Sequence, residues 1–96
     1  MAFRLLLDTT VNATGDPVRI VHAGNREGVL QIDFRGVSPV GTVTLYGRTD
    51  SSMDFQQIAA PFLESVILEV VICPEMYATV SGIGGTSPRI VVGVLE

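Results

Sequence analysis

Short runs of alternating apolar and polar residues, cut by Gly, Pro, Asn, Asp and Ser, constrain the fold of this chain more than any other feature. In residues 29–35 every second residue is apolar, and residues 41–48 show a similar alternation. A period of two is that of a half-buried β-strand. The connection over residues 36–40 contains Gly and Pro, so the two runs predict a β-hairpin.

The C-terminal third shows a similar arrangement. Two apolar runs, residues 76–80 and 89–95, flank the Gly-rich stretch SGIGGTSP at residues 81–88. This stretch lacks the Lys and the following helix of a phosphate-binding loop. It therefore predicts a flexible turn that closes a second hairpin. Residues 3–9 and 17–23 predict two further strands.

The segment 61–73, PFLESVILEVVIC, fits either a helix or a strand. Its apolar residues fall at helical spacing after Pro61, but most of them are β-branched and therefore restricted in helices. A strand over residues 65–72 is favoured, with Ile67 and Val71 facing away from Val66 and Leu68. A strand that is apolar on both faces is either central in a stack or covered by a neighbouring subunit.

Together these patterns predict an all-β fold. Turn residues recur about every 8–12 positions, which is typical of a β-sandwich. We expect a single-domain antiparallel β-sandwich or small jelly roll of seven to eight short strands. Residues 1–15 are expected to form an N-terminal arm or edge strand, and residues 16–96 the sandwich. No internal repeat is recognisable.

The composition favours self-association. Apolar residues make up 47% of the 96 residues and charged residues 17%, below the roughly 25% charged residues that are usual in soluble domains. Mean hydropathy is +0.45. One small domain has too little interior to hide this content, and exposed apolar patches mark interfaces. A tightly packed monomer is the alternative.

The charges and the apolar runs argue against several classes of partner. The net charge is −4, and the six basic residues, all Arg, are dispersed. No basic stripe suits direct binding of nucleic acid. No apolar run approaches the ~20 residues that cross a membrane, and the N-terminal run is too short for a signal peptide.

No constellation of residues indicates catalysis, a metal or a cofactor. His22 is the only histidine and lacks a nucleophile motif nearby. Cys73 ends an apolar run and is interpreted as a small buried hydrophobe. Asp50 and Asp54 lie four residues apart without the further ligands that calcium needs. Only Tyr46 and Tyr77 could offer a stacking ring to a sugar.

Several short motifs of this chain resemble those of a group of known proteins. Gly41–Leu45 reads G-x-V-T-L, Asp50–Phe55 forms a D-S-x-x-x-F turn, Ala78–Gly82 ends in V-S-G, and a final strand follows. Across residues 16–96 this order resembles a group of small phage structural proteins. The chain departs from their pattern at Met53–Phe55, where a Gly and a Trp are usual. These proteins are similar to capsid cement, or decoration, proteins.

The resemblance implies a non-enzymatic virion protein. It would be made in the host cytoplasm, bind the major capsid protein on the outer capsid surface, and stabilise the capsid as a homo-oligomer, often a trimer. Neither direct nucleic-acid binding nor membrane binding is expected. The alternatives are a neck, head-fibre or tail structural protein, or a carbohydrate-binding β-sandwich module.

Two groups of residues are candidate capsid or oligomer contacts. In the N-terminal segment, Phe3, Leu5 and Leu7 could pair with an open sheet edge of the capsid protein or of a sister subunit, or could form the first core strand. On the outward side of the last strands, the expected trimer face comprises Ile67, Val71, Tyr77 and Val91.

Overall fold

The computed structural model describes residues 3–20 and 27–96, and in these residues all regular structure is β. The predicted all-β, antiparallel, single-domain fold is confirmed. Among the described residues, no helix is long and apolar enough to span a membrane. The strands are β1 (Phe3–Thr9), β2 (Ala13–Thr14), β3 (Val18–Arg19), β4 (Glu27–Arg48), β5 (Gln56–Gln57), β6 (Val66–Val71) and β7 (Glu75–Leu95).

Two very long strands, β4 and β7, lie next to each other at the centre of the sheet. They pair antiparallel from Val29↔Leu95 to Arg48↔Glu75. The two predicted hairpins are therefore wrong, because residues 29–35 and 41–48 belong to one strand, as do residues 76–80 and 89–95. The stretch 81–88 is likewise part of β7 and not a flexible turn.

The Gly and Pro residues in the middle of each long strand produce bulges where the sequence predicted reversals. Gly36 and Ser38 in β4 have φ of +113° and +49°, and Gly85 and Ser87 in β7 have φ of +108° and +49°. The two G-x-S-P segments lie against each other across the ladder, since a Cβ on Gly36 would sit 2.7 Å from the Ser87 carbonyl oxygen. Facing bulges lengthen both strands together, so the pairing continues on either side with a register change of one residue.

We call the point where the two bulges face each other the crossing. A pseudo-two-fold axis at the crossing relates two units of the chain that have a similar order of strands. Residues 3–48 contain outer strands β1, β2 and β3 followed by long strand β4, and residues 56–95 contain outer strands β5 and β6 followed by long strand β7. Every strand pairing in the described residues joins one of these units to the other. The two units, in which the sequence showed no recognisable repeat, thus have a similar strand order and are fully intertwined.

The sheet has two halves on either side of the crossing. Half I consists of β1, the end of β7, the start of β4 and β6, in that order. Half II consists of β2 and β3, the start of β7, the end of β4 and β5, with Phe62 bridging to Val43. The inward side chains of both halves enter one core, and the fully buried ones include Leu30, Ile32, Val43, Leu45, Met76, Ile90, Val92 and Val94.

The outer strands agree in part with the strands that the sequence predicted. The strand predicted over residues 65–72 is β6, with Val66, Leu68 and Val70 turned towards the core and Ile67 exposed. The N-terminal segment supplies β1 and β2, both paired with β7. Of the strand predicted over residues 17–23, β3 is described, whereas residues 21–23, with His22, lie outside the described residues.

Candidate functional site

The outward surface of half I carries a continuous group of exposed apolar side chains, which we call the apolar face. They come from all four strands of this half and are 36% to 66% exposed. The members are Phe3, Leu5, Val29, Ile67, Val71 and Leu95.

The strand register places these side chains in adjacent rows. Phe3, Leu95 and Val29 lie directly opposite one another on β1, β7 and β4, with Glu69 of β6 completing the row. The next row runs from Leu5 through Gly93 and Gln31 to Ile67. The Phe3 ring covers Gly93, where a Cβ would clash with the ring. Because opposite residues of an antiparallel ladder share a face, these side chains form one surface.

The structure brings together most of the candidate contact residues that the sequence suggested. Phe3, Leu5, Ile67 and Val71 belong to the apolar face. Val91 lies half-buried beside them, opposite Asp33 and Asp8. The N-terminal group and the C-terminal group, which were expected as separate contacts, therefore share one face.

Leu7 and Tyr77 lie elsewhere. A bulge between Leu5 and Leu7 turns Leu7 inward opposite Val92, where it packs against the core. Tyr77 lies on the first part of β7, opposite Tyr46, and therefore on the outer surface of half II. Sequence alternation alone cannot show either placement, since a bulge and a strand crossing change which face a residue occupies.

Ion pairs border the apolar face near the crossing. Arg89 binds Asp8 with its Nε and Nη2 atoms, at 2.9 Å and 2.6 Å, and Arg35 Nε binds Asp33 Oδ2 at 2.6 Å. The hydrogen bond from Arg89 lowers the pKa of Asp8 below its ordinary value, and the same bond raises the pKa of Arg89. A hollow of about 150 Å³ lies between Phe3, Gln31, Val91 and the pair Asp33 and Arg35.

On the outer surface of half II, aromatic and polar side chains contact one another. Tyr46 and Tyr77 stack with ring centroids 4.8 Å apart, and Phe55 meets Tyr77 edge-on, also at 4.8 Å. The Arg48 guanidinium covers the Phe55 ring at 4.3 Å and binds Glu75 at 2.7 Å. Thr42, Thr44, Thr79 and Ser81 occupy the remaining outward positions of the two long strands. The aromatic rings of this surface therefore bind one another and Arg48.

The other candidate groups occupy structural positions. Cys73 is buried in the core, as the sequence indicated, and burial raises the pKa of its thiol. Asp50 accepts hydrogen bonds from the backbone and hydroxyl of Ser52, which lower its pKa and cap a turn. Within residues 3–20 and 27–96, no three His, Cys, Asp or Glu side chains are grouped so as to hold a metal ion.

The comparisons with known proteins return no relative. No family model, no curated protein and no solved structure matches this chain.

Sequence reasoning did not identify Val29 and Leu95 as members of the apolar face. Val29 begins an alternating run whose apolar members face the core, but it lies one position out of that alternation. Leu95 likewise follows the buried Val94. Two consecutive apolar residues at the end of an alternating strand were the available signal, since one of the two must point outward.

Proposed function

We propose that this protein is a phage capsid decoration, or cement, protein: a non-enzymatic subunit on the outer surface of the head that stabilises the shell by binding capsid subunits. The apolar face is the observation that carries the proposal. A monomeric soluble protein seldom exposes a large contiguous apolar patch without a partner. The motif order shared with small phage structural proteins, from Gly41 to Leu95, supports the choice of partner.

The size of the apolar face suits attachment in multiple copies. From their exposed fractions, its six side chains present on the order of 500 Å². Burying this area yields about 12 kcal/mol from this side of the contact. That gain is comparable with the entropic cost of association, which is about 4–15 kcal/mol. Stable attachment is therefore favoured when linked copies bind neighbouring capsid subunits together.

The polar surface of half II gives less support to a carbohydrate-binding module. A sugar platform needs open aromatic faces, but Tyr46 and Tyr77 stack on each other and Arg48 covers Phe55. The two halves therefore have different roles in this proposal, with half I binding the shell and half II facing solvent.

Binding to expanded empty capsids of the parent phage tests the proposal. We expect saturable, stoichiometric binding over the whole shell and an increase in the temperature at which the shell disrupts. Leu5→Asp places a charge in the apolar face, far from the β6 edge, and should reduce capsid binding at least about tenfold. Thr44→Asp adds the same charge to the outer surface of half II and is the matched control.

Three outcomes would contradict the proposal. Absence of binding to capsids would exclude the cement role. Binding only at a vertex or tail would indicate a neck, head-fibre or tail subunit. Equal loss of binding in Leu5→Asp and Thr44→Asp would show that the apolar face is not the contact surface.

A further inference from the structure

Four segments form the edges of the sheet, and the pseudo-symmetry relates them in two pairs. In half I the edges are β1 and β6, and in half II they are β5 with Phe62 and β2 with β3. β6 corresponds to β2 and β3, because each flanks the start of a long strand. β1 corresponds to the β5 segment, because each flanks the end of a long strand.

Three of these edges are interrupted. Gly15, Asp16 and Pro17 separate β2 from β3. β5 has two residues and is followed by Ala59, Ala60 and Pro61. β1 contains the bulge between Leu5 and Leu7. Short strands, prolines and bulges are the features by which proteins prevent an edge from pairing with another strand.

The β6 edge has none of these features. Its six residues, VILEVV, pair with β4 in unbroken register from Val66↔Ile32 to Val71↔Glu27. The strand contains no Pro, Gly or Lys and a single charge, Glu69. Ile67 is 66% exposed and Val71 is 60% exposed. No described strand pairs with its other side, so the segment has the composition and exposure of a strand that binds another strand.

We propose that β6 pairs antiparallel with β6 of a second copy of this chain, about a two-fold axis. A two-fold contact is self-complementary, so one open edge suffices for both subunits. The pairing is independent of the capsid role, since it requires only this chain. It would replace the trimer that the family resemblance implies with a dimer.

Glu69 restricts the register of this pairing. Directly opposite residues must share a face, so the axis passes through a residue position. An axis at Glu69 would place the two carboxylates opposite each other, which is unfavourable. An axis at Leu68 avoids this contact, places Ile67 of one copy opposite Glu69 of the other, and keeps residues 65–71 paired.

The dimer joins the two copies of half I into one eight-stranded sheet, because each copy contributes β1, β7, β4 and β6. Their apolar faces then lie side by side on the same surface. The area available to a capsid becomes roughly 1,000 Å², which is within the range of a specific protein interface.

Two variants of the same residue test the pairing. Ile67→Glu would place Glu against Glu69 twice across the axis, whereas Ile67→Lys would place Lys against Glu69 twice. Both remove the same exposed apolar side chain and add a flexible charged one, so the comparison tests mainly the sign of the new charge. Thr14, the counterpart of Ile67 on the interrupted edge, provides the control Thr14→Glu.

Sedimentation equilibrium gives the mass of each variant, with circular dichroism to verify folding. We expect a dimer of the 10.2 kDa chain for the wild type, Thr14→Glu and Ile67→Lys, and a dissociation constant at least about tenfold higher for Ile67→Glu. Hydrogen exchange should show alternate β6 amides, those not bonded to β4, protected in the dimer and exposed in Ile67→Glu.

The proposal is overturned by a monomeric or trimeric wild type, by equal dissociation of both Ile67 variants, or by β6 amides that exchange at the same rate in the wild type and Ile67→Glu. Capsid binding is a separate assay. A dimer that ignores capsids would leave this pairing intact and remove the cement role.

Discussion

Half I and half II share a backbone plan but differ in what their outer surfaces present. In both, two long strands are flanked by outer strands, and both contribute to one core. On half I six outward side chains are apolar and exposed, whereas on half II aromatic rings, Arg48 and Glu75 bind one another. The buried positions match and the outward positions differ, and the proposed function assigns the binding of partners to half I alone.

The intertwining of the two units also explains why local sequence patterns did not predict which strands pair in this chain. All described strand pairs link residues 3–48 to residues 56–95, so no hairpin between consecutive strands stabilises either unit by itself. We infer that neither unit retains the fold when it is separated from the other.

The largest expected loss of stability comes from substitutions at the crossing, which test whether the two long strands are equivalent there. Gly36→Ala and Gly85→Ala would each place a Cβ 2.7 Å from a carbonyl oxygen of the facing strand, at φ of +113° and +108°. Each should lower the free energy of unfolding by about 2–4 kcal/mol, as measured by urea denaturation.

Gly82→Ala is the matched control for the crossing. Gly82 also has a positive φ, +63°, but its Cβ would meet no atom within 4 Å. Gly82→Ala should lower the free energy of unfolding by only about 1 kcal/mol, because a non-Gly residue would have to adopt a left-handed backbone conformation. A tolerated substitution at either Gly36 or Gly85 would contradict the pseudo-symmetry of the crossing.

A smaller difference in stability is expected between substitutions on the two outer surfaces. Phe55→Ala removes an edge-on contact with Tyr77 and the contact with Arg48, and should lower the free energy of unfolding by about 1–2 kcal/mol. Ile67→Ala removes an exposed side chain and should change the stability of the monomer by less than about 0.5 kcal/mol. Comparable losses in thermal denaturation of dilute protein would show that the apolar face serves stability as well.

The smallest effect is a pH dependence at the border of the apolar face. The folded pKa of Asp8 is lowered from 3.8 by the bond from Arg89. A carboxyl whose folded pKa lies below its unfolded pKa stabilises the protein above the unfolded value and loses this contribution as the pH falls through the folded value. Since both side chains reach solvent, salt screening keeps the effect small.

Asp8→Asn should therefore lower the urea midpoint slightly at pH 7, and the difference from the wild type should shrink as the pH falls below 3.8, the ordinary pKa of Asp. A difference that is unchanged over this range would mean that the charge of Asp8 does not contribute.

Much of the fold followed from local pattern. The alternation in residues 29–35 and 41–48 identified the buried positions of β4, and β-branched residues identified β6 as a strand. The failure at residues 36–40 and 81–88 has a physical cause. Gly, Ser and Pro favour positive φ and fixed φ in turns and bulges alike. Only the partner strand, which lies far away in sequence, decides which of the two forms.

The placement of the candidate contact residues was likewise predictable only where a strand is regular. Ile67 and Val71 could be placed outward because β6 is regular. For Phe3 and Leu5 the sequence left open a pairing arm or a first core strand, and only the register of β1 places them on the outer surface. Leu7 lies just past that bulge, and Tyr77 lies on the other side of the crossing. The repeat escaped notice because its clearest trace, the G-V-S-P and G-T-S-P segments at residues 36–39 and 85–88, is four residues long.

Hydroxyl-radical footprinting of the protein on expanded capsids tests most directly whether the outer surface of half I is the one that holds its neighbours. The account predicts that Phe3, Leu5 and Leu95 lose reactivity on the capsid, while Tyr46, Phe55 and Tyr77 react as they do in the free protein. Protection of the half II aromatic residues, with the apolar face still reactive, would contradict it.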